Sequence, residues 1–87
     1  MKDQIDFRGL KTRLDQMDWP AVYMFKFIVP IDQIAAVSEL FEKSDVVTKV
    51  SKKGNYISVT AKPLMYSSDK VIEKYKEAFQ IKGIMAL

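Results

Sequence analysis

The sequence predicts an α+β fold in which a four-stranded antiparallel sheet carries two helices on one face. Three observations support this. Residues 46–62 alternate apolar and polar side chains on both sides of Gly54-Asn55, the pattern of two half-buried strands joined by a tight turn. Val22 to Val29 alternates in the same way ahead of it. Between and after these strands, apolar residues recur every three or four positions, as in helices that bury one stripe.

Taken in order, residues 1–6 are polar and expected to fray. Phe7, Leu10, Leu14 and Met17 form one helical stripe, weakened at Gly9 by about 1 kcal/mol relative to alanine. Such a narrow stripe needs something to dock on. Trp19-Pro20 ends the helix, because the residue before proline avoids the α region. Residues 1–18 therefore read as a partly helical N-terminal extension, and 19–87 as the domain proper.

In the first strand Tyr23, Phe25, Phe27 and Val29 face one way, and Val22, Met24, Lys26 and Ile28 the other. Burying Lys26 without a partner would be costly, so the aromatic side is the core. Pro30 closes this strand. Asp32 is a suitable N-cap for the next helix, whose buried face is Ile34, Val37, Leu40 and Phe41 and whose outer face holds Glu39, Glu42 and Lys43. Ser44-Asp45 leads to the hairpin. Its tip, Lys52-Lys53-Gly54-Asn55, reads as a solvated turn that discourages edge pairing; no helix N-terminus follows to make it an anion cradle.

Pro63 ends or edges the third strand. Ser67-Ser68-Asp69 signals a helix start. Val71, Ile72, Tyr75 and Phe79 line one side of that helix, with Lys70, Glu73, Lys74, Lys76 and Glu77 opposite. Ile81–Leu87 is expected as a last strand, with Ile81, Met85 and Leu87 inward and Lys82, Ile84 and Ala86 outward. The order is strand, helix, strand, strand, helix, strand. That is the split βαβ, ferredoxin-like arrangement, an alpha-beta plait.

Ser51-Lys52-Lys53-Gly54-Asn55-Tyr56-Ile57-Ser58-Val59-Thr60 resembles the hairpin signature of the YbeD-like bacterial proteins, a family of unknown function. Phe25-Lys26-Phe27-Ile28-Val29 with Trp19-Pro20 ahead of it, the Val71–Tyr75 helix and the ending Met85-Ala86-Leu87 are similar too. The resemblance covers residues 19–87. It implies a ferredoxin-like fold similar to ACT regulatory domains, which bind amino acids at subunit contacts, and hence a regulatory role with a small-molecule effector as one option. ACT ligand loops usually carry glycine after the first strand; this chain has Pro30-Ile31-Asp32 there.

The 87 residues suit one domain. The chain has no cysteine and no histidine, which removes disulfides, thiolate chemistry and the commonest general base and metal ligand. A phosphate-binding loop of the acylphosphatase kind would need an arginine after the first strand, and Arg8 and Arg13 both precede it. The carboxylate pairs Asp15 with Asp18 and Glu39 with Glu42 sit among polar residues, where nothing perturbs them toward catalysis. No catalytic, cofactor-binding or metal-binding residue is expected. Net charge is +3, a mild bias. With neither a membrane-length apolar run nor a secretion signal, a cytoplasmic protein with no membrane contact is the expectation.

The sheet face away from the helices is the candidate binding surface. By alternation it should display Met24, Lys26, Ile28, Lys49, Ser51, Tyr56, Ser58, Thr60, Lys62, Lys82, Ile84 and Ala86. Three occupants compete for it: a protein partner or second subunit on the apolar residues; single-stranded RNA with Tyr56 stacking on a base; or the N-terminal helix folding back. RNA is disfavoured because Phe25 and Phe27 point inward, leaving no aromatic pair. The expected function is a non-enzymatic regulatory or adaptor domain, monomeric or dimeric, that binds a protein or small ligand; the alternative is nucleic-acid binding on the open face.

Overall fold

The computed structural model describes residues 7–41, 46–50 and 54–87. In chain order the elements are α1 (Arg8–Leu14), β1 (Ala21–Val22), β2 (Phe25–Pro30), a 3-10 turn (Ile31–Gln33) running into α2 (Ile34–Leu40), β3 (Val46–Val50), β4 (Tyr56–Ala61), β5 (Leu64–Met65), α3 (Ser68–Ala78) and β6 (Met85–Ala86). The fold is α+β, with three helices and antiparallel sheets. One sheet has four strands in the order β3-β4-β2-β6; the other is the two-stranded pair β1-β5.

The expected first strand is thus divided, and Pro63 explains the division. Tyr23 N–H donates to the Pro63 carbonyl at 3.0 Å, but Pro63 has no N–H to return to Tyr23. The ladder breaks there without slipping. Ala21 pairs with Met65 and Val22 with Leu64 before the break, and Phe25 pairs with Ala61 after it, which is the same register. Burial alternates without interruption from Ala21 to Val29 and from Tyr56 to Tyr66.

Strand parity and chemistry agree in the core. Phe25, Phe27 and Val29 are 0 % exposed, while Lys26 between the two rings is exposed. With Ile57, Val59 and Ala61 of β4 they pack against Val37 and Phe41 from the α2 region and Val71, Ile72 and Ala78 from α3. Tyr75 sits edge-on to Phe25 at 5.0 Å between ring centres. Its hydroxyl lies 3.1 Å from that of Tyr23, so the two half-buried phenols partner each other.

The N-terminal helix docks on the helical layer and not on the open sheet face. Leu14 is a core residue at 2 % exposure. The Phe7 ring meets Tyr75 and Phe79 at 6.5 and 6.3 Å, and Lys11 reaches Asp69 of α3 at 3.3 Å. Trp19 Nε1 donates to the Leu14 carbonyl at 3.0 Å, satisfying one of the helix's terminal acceptors.

Several local expectations change. Asp32 lies inside the 3-10 turn and does not cap; the α2 N-terminus has no side-chain cap bond. Its far end is served from α3, where the Lys74 ammonium donates to the Leu40 carbonyl at 3.0 Å and lies 5.7 Å from the Phe41 ring centre. Ser67 caps α3 as expected, accepting from Lys70 N–H at 3.1 Å. At the hairpin only Gly54 takes a positive φ; the tip Ser51-Lys52-Lys53 lies outside the described residues, as do Glu42, Lys43 and Ser44-Asp45.

The last strand is shorter than expected; Ile81 packs on the core as expected, and the faces are exchanged from Ile84 on. Met85–Ala86 pairs with β2, and Leu87 N–H donates to the Lys26 carbonyl at 2.8 Å. Gly83 turns the chain at φ +81°, so tight against Pro30 that a Cβ would come within 2.7 Å of the proline ring. The turn shifts the alternation: Ile84 packs on the core, and Met85 stands opposite Ile28 on the other side. Among the described residues, no helix is long and apolar enough to cross a membrane.

Candidate functional site

Pairing register decides which side chains share the face away from the helices. Lys26 is flanked by Thr60, and Thr60 by Val47; Ile28 is flanked by Ser58, and Ser58 by Lys49. Met85 stands on the other side of Ile28, and Tyr56 pairs with Pro30. Residues across neighbouring antiparallel strands lie about 4.5–5.5 Å apart and touch on the same face. The result is a shallow recess of about 500 Å³ lined by Ile28, Lys49, Tyr56, Ser58 and Met85, with Val50 and Ile57 also contributing. The Ser58 hydroxyl leans on the Lys49 carbonyl at 3.5 Å.

Of the residues expected on this face, Met24, Lys26, Ile28, Lys49, Tyr56, Ser58, Thr60 and Lys62 fall on it by register and alternation. Lys82 and Ile84 do not. Lys82 is in the turn before β6, and Ile84 belongs to the core side. Ala86 pairs with Phe27 and so takes the core side as well. Met85 was placed inward by counting back along an unbroken strand; reading Gly83 as a turn residue would have reversed that count.

A second part of the surface carries the expected outward face of Val22 and Met24 past Pro63 to Leu64 and Tyr66. Val22 and Leu64 pair across β1 and β5 with their side chains 64 % and 50 % exposed. Tyr66 and Met24 are exposed beside them along the same alternation. Sequence reading stopped at Pro63, although the alternation resumes at Leu64 and Tyr66.

Acidic residues are unevenly distributed along the chain. Residues 19–31, 46–68 and 79–87, which hold every strand, contain no aspartate or glutamate, so all 11 carboxylates of the chain belong to the helical segments and their flanks. Asp15 shows what those carboxylates do. The Ser68 hydroxyl, and after it Lys11, hold the Asp15 carboxyl below the ordinary carboxylate value. Asp69 and Asp15 in turn hold the Lys11 ammonium above its ordinary value. This is a solvated clamp between α1 and α3, far from the chemistry of a cleft. Glu42 lies outside the described residues, so its pairing with Glu39 has no structural account. Among the described residues, no group of three or more His, Cys, Asp or Glu is placed to hold a metal ion.

Comparison with known proteins gives a family. No solved structure matches the chain. A UPF0250 protein of Shewanella halifaxensis is 30 % identical, the match covering 86 % of this chain and 94 % of that one. A UPF0250 protein of Shewanella putrefaciens is 31 % identical with the same coverage. Residues 15–87 match the family described as "Protein of unknown function (DUF493)". That match begins next to Leu14 and spans every strand and the helices α2 and α3, so the chain belongs to the DUF493 family, the YbeD-like bacterial proteins of unknown function.

Proposed function

We propose that this protein is a small, non-enzymatic regulatory or adaptor domain of ferredoxin-like architecture that binds a protein partner through its open sheet face. Strand order supports the architecture. The four strands of the larger sheet run second, third, first, fourth in order of appearance, with α2 and α3 as the two crossovers. The observation that carries the functional reading is the recess around Ile28 and Met85, on a sheet face that none of the described helices covers. An apolar recess with a few convergent polar groups is the usual form of a binding site. A cytoplasmic location and an ACT-like regulatory role fit the reading and rest on it.

Full-length protein immobilised from a cell extract should recover a partner, and Ile28→Glu combined with Met85→Glu should abolish the recovery while leaving the thermal unfolding transition in place. Equal recovery by the double variant would overturn the use of this face. The second reading, single-stranded nucleic acid, has the exposed Tyr56 beside Lys49 in its favour. It would appear in the same experiment as recovered material sensitive to nuclease.

A further inference from the structure

We infer that the open face receives an acidic amphipathic helix of another protein, laid along the β2-β4 ribbon and its β1-β5 continuation. This rests on the reading that the open face binds a protein, and it adds the chemistry and shape of what binds.

The ribbon presents two apolar footholds. One is Ile28 with Met85; the other is the Val22-Leu64 pair. Because the register is unbroken between them, Val22 and Ile28 are six residues apart on one edge of a continuous ribbon, which is about 20 Å at the rise of a strand. Met24, exposed next along from Val22, extends that foothold inward; beyond it the ground is mixed, with Lys26 and Thr60 across from each other, Val47 exposed beside Thr60, and Lys62 next along β4's continuation. A helix covers about 20 Å in about 13 residues. An occupant with aliphatic side chains toward both ends and carboxylates between them would match this surface in spacing and in sign. An extended peptide would instead seek the backbone of an edge strand.

Charge decides between occupants. A second copy of this chain, docked face to face across a two-fold axis, would set Lys26, Lys49 and Lys62 against the same three lysines. No aspartate or glutamate lies in the strand segments to separate them. Like charges across an interface oppose association and select against that partner. Nucleic acid would meet the right sign but the wrong chemistry. Phe25 and Phe27 are wholly buried, so the face lacks a run of stacking rings. Both arginines belong to the α1 segment on the far side, which leaves only point-charge lysines here. An acidic helix uses the lysines and the aliphatic footholds together.

The test places a photo-crosslinking residue in the full chain at two exposed positions, Met85→p-benzoylphenylalanine and, separately, Val22→p-benzoylphenylalanine. Cells are irradiated and the labelled segments are read by mass spectrometry. Both positions should label one protein, within a single helical segment of net negative charge, at sites about 13 residues apart. Lys26→Glu with Lys62→Glu should lower both yields about fivefold or more without moving the melting temperature. Labelling of a second copy, of nucleic acid, or of a neutral or basic segment overturns this inference and leaves a binding face in being. Yields that ignore the charge reversal also overturn it. No adduct from either position removes the inference and the underlying reading together.

Discussion

Lys26 stands between two phenylalanine rings that never see solvent, and that single contrast orients the whole sheet. It was legible because a lysine and two phenylalanines at alternate positions leave one inexpensive choice of face. Tyr75 was legible only in part. Its position on the inner stripe of α3 was plain, but its hydroxyl contact with Tyr23, 52 residues away in sequence, was not. Burial first, then the bond to Tyr23, pushes the Tyr75 phenol well above its ordinary value of 10.0. The sign follows directly. The folded state keeps the proton that the unfolded chain gives up, so the associated stability is complete below about pH 10 and declines as pH rises above it. Lys11 is raised in the same direction by Asp69 and Asp15. Tyr75→Phe should flatten part of the alkaline decline in urea-unfolding free energy and leave the Lys11 part. An unchanged pH slope in the variant would show that the phenol is not responsible.

Among the elements, α1 is the one whose role the sequence understated. Its seven residues carry no side-chain N-cap and form too short a helix to persist alone. The molecule holds it through Leu14 in the core, Phe7 against α3 and the Lys11 clamp. A stripe of four apolar residues announces that a helix docks; it does not say on which surface, because both layers offer apolar ground. Leu14→Ala should cost about 2–5 kcal/mol in chemical denaturation, as a buried leucine in a close-packed core does. Met17→Ala, at a position 39 % exposed, should stay within about 0.5 kcal/mol. Equal effects at the two positions would mean that α1 does not belong to the core. The last strand was misjudged for a different reason: Gly83 against Pro30 is a contact between distant segments, and no local alternation records it.

At the scale of the whole molecule, the α+β class and the antiparallel pairing came through in the sequence because they follow from amphipathic period and element order. That Lys26, Lys49 and Lys62 share the open face was legible from alternation; which residues flank each of them needed the register. Of the second foothold, Val22 was legible as an outward residue of the first strand and Leu64 was not, because a proline usually marks the end of a strand, whereas here it only interrupts one.

That interruption has a consequence for how the protein breathes. Pro63 withholds one bond at the point where the long ribbon leaves the four-stranded sheet, so the outer segment holding Ala21, Val22, Leu64 and Met65 is tied to the rest by a weakened joint. In deuterated buffer its amides should exchange ahead of those of Phe27 and Val59, as a separate opening unit with a lower protection free energy. Uniform protection along both sides of the joint would show that the proline leaves the ribbon as a single rigid body.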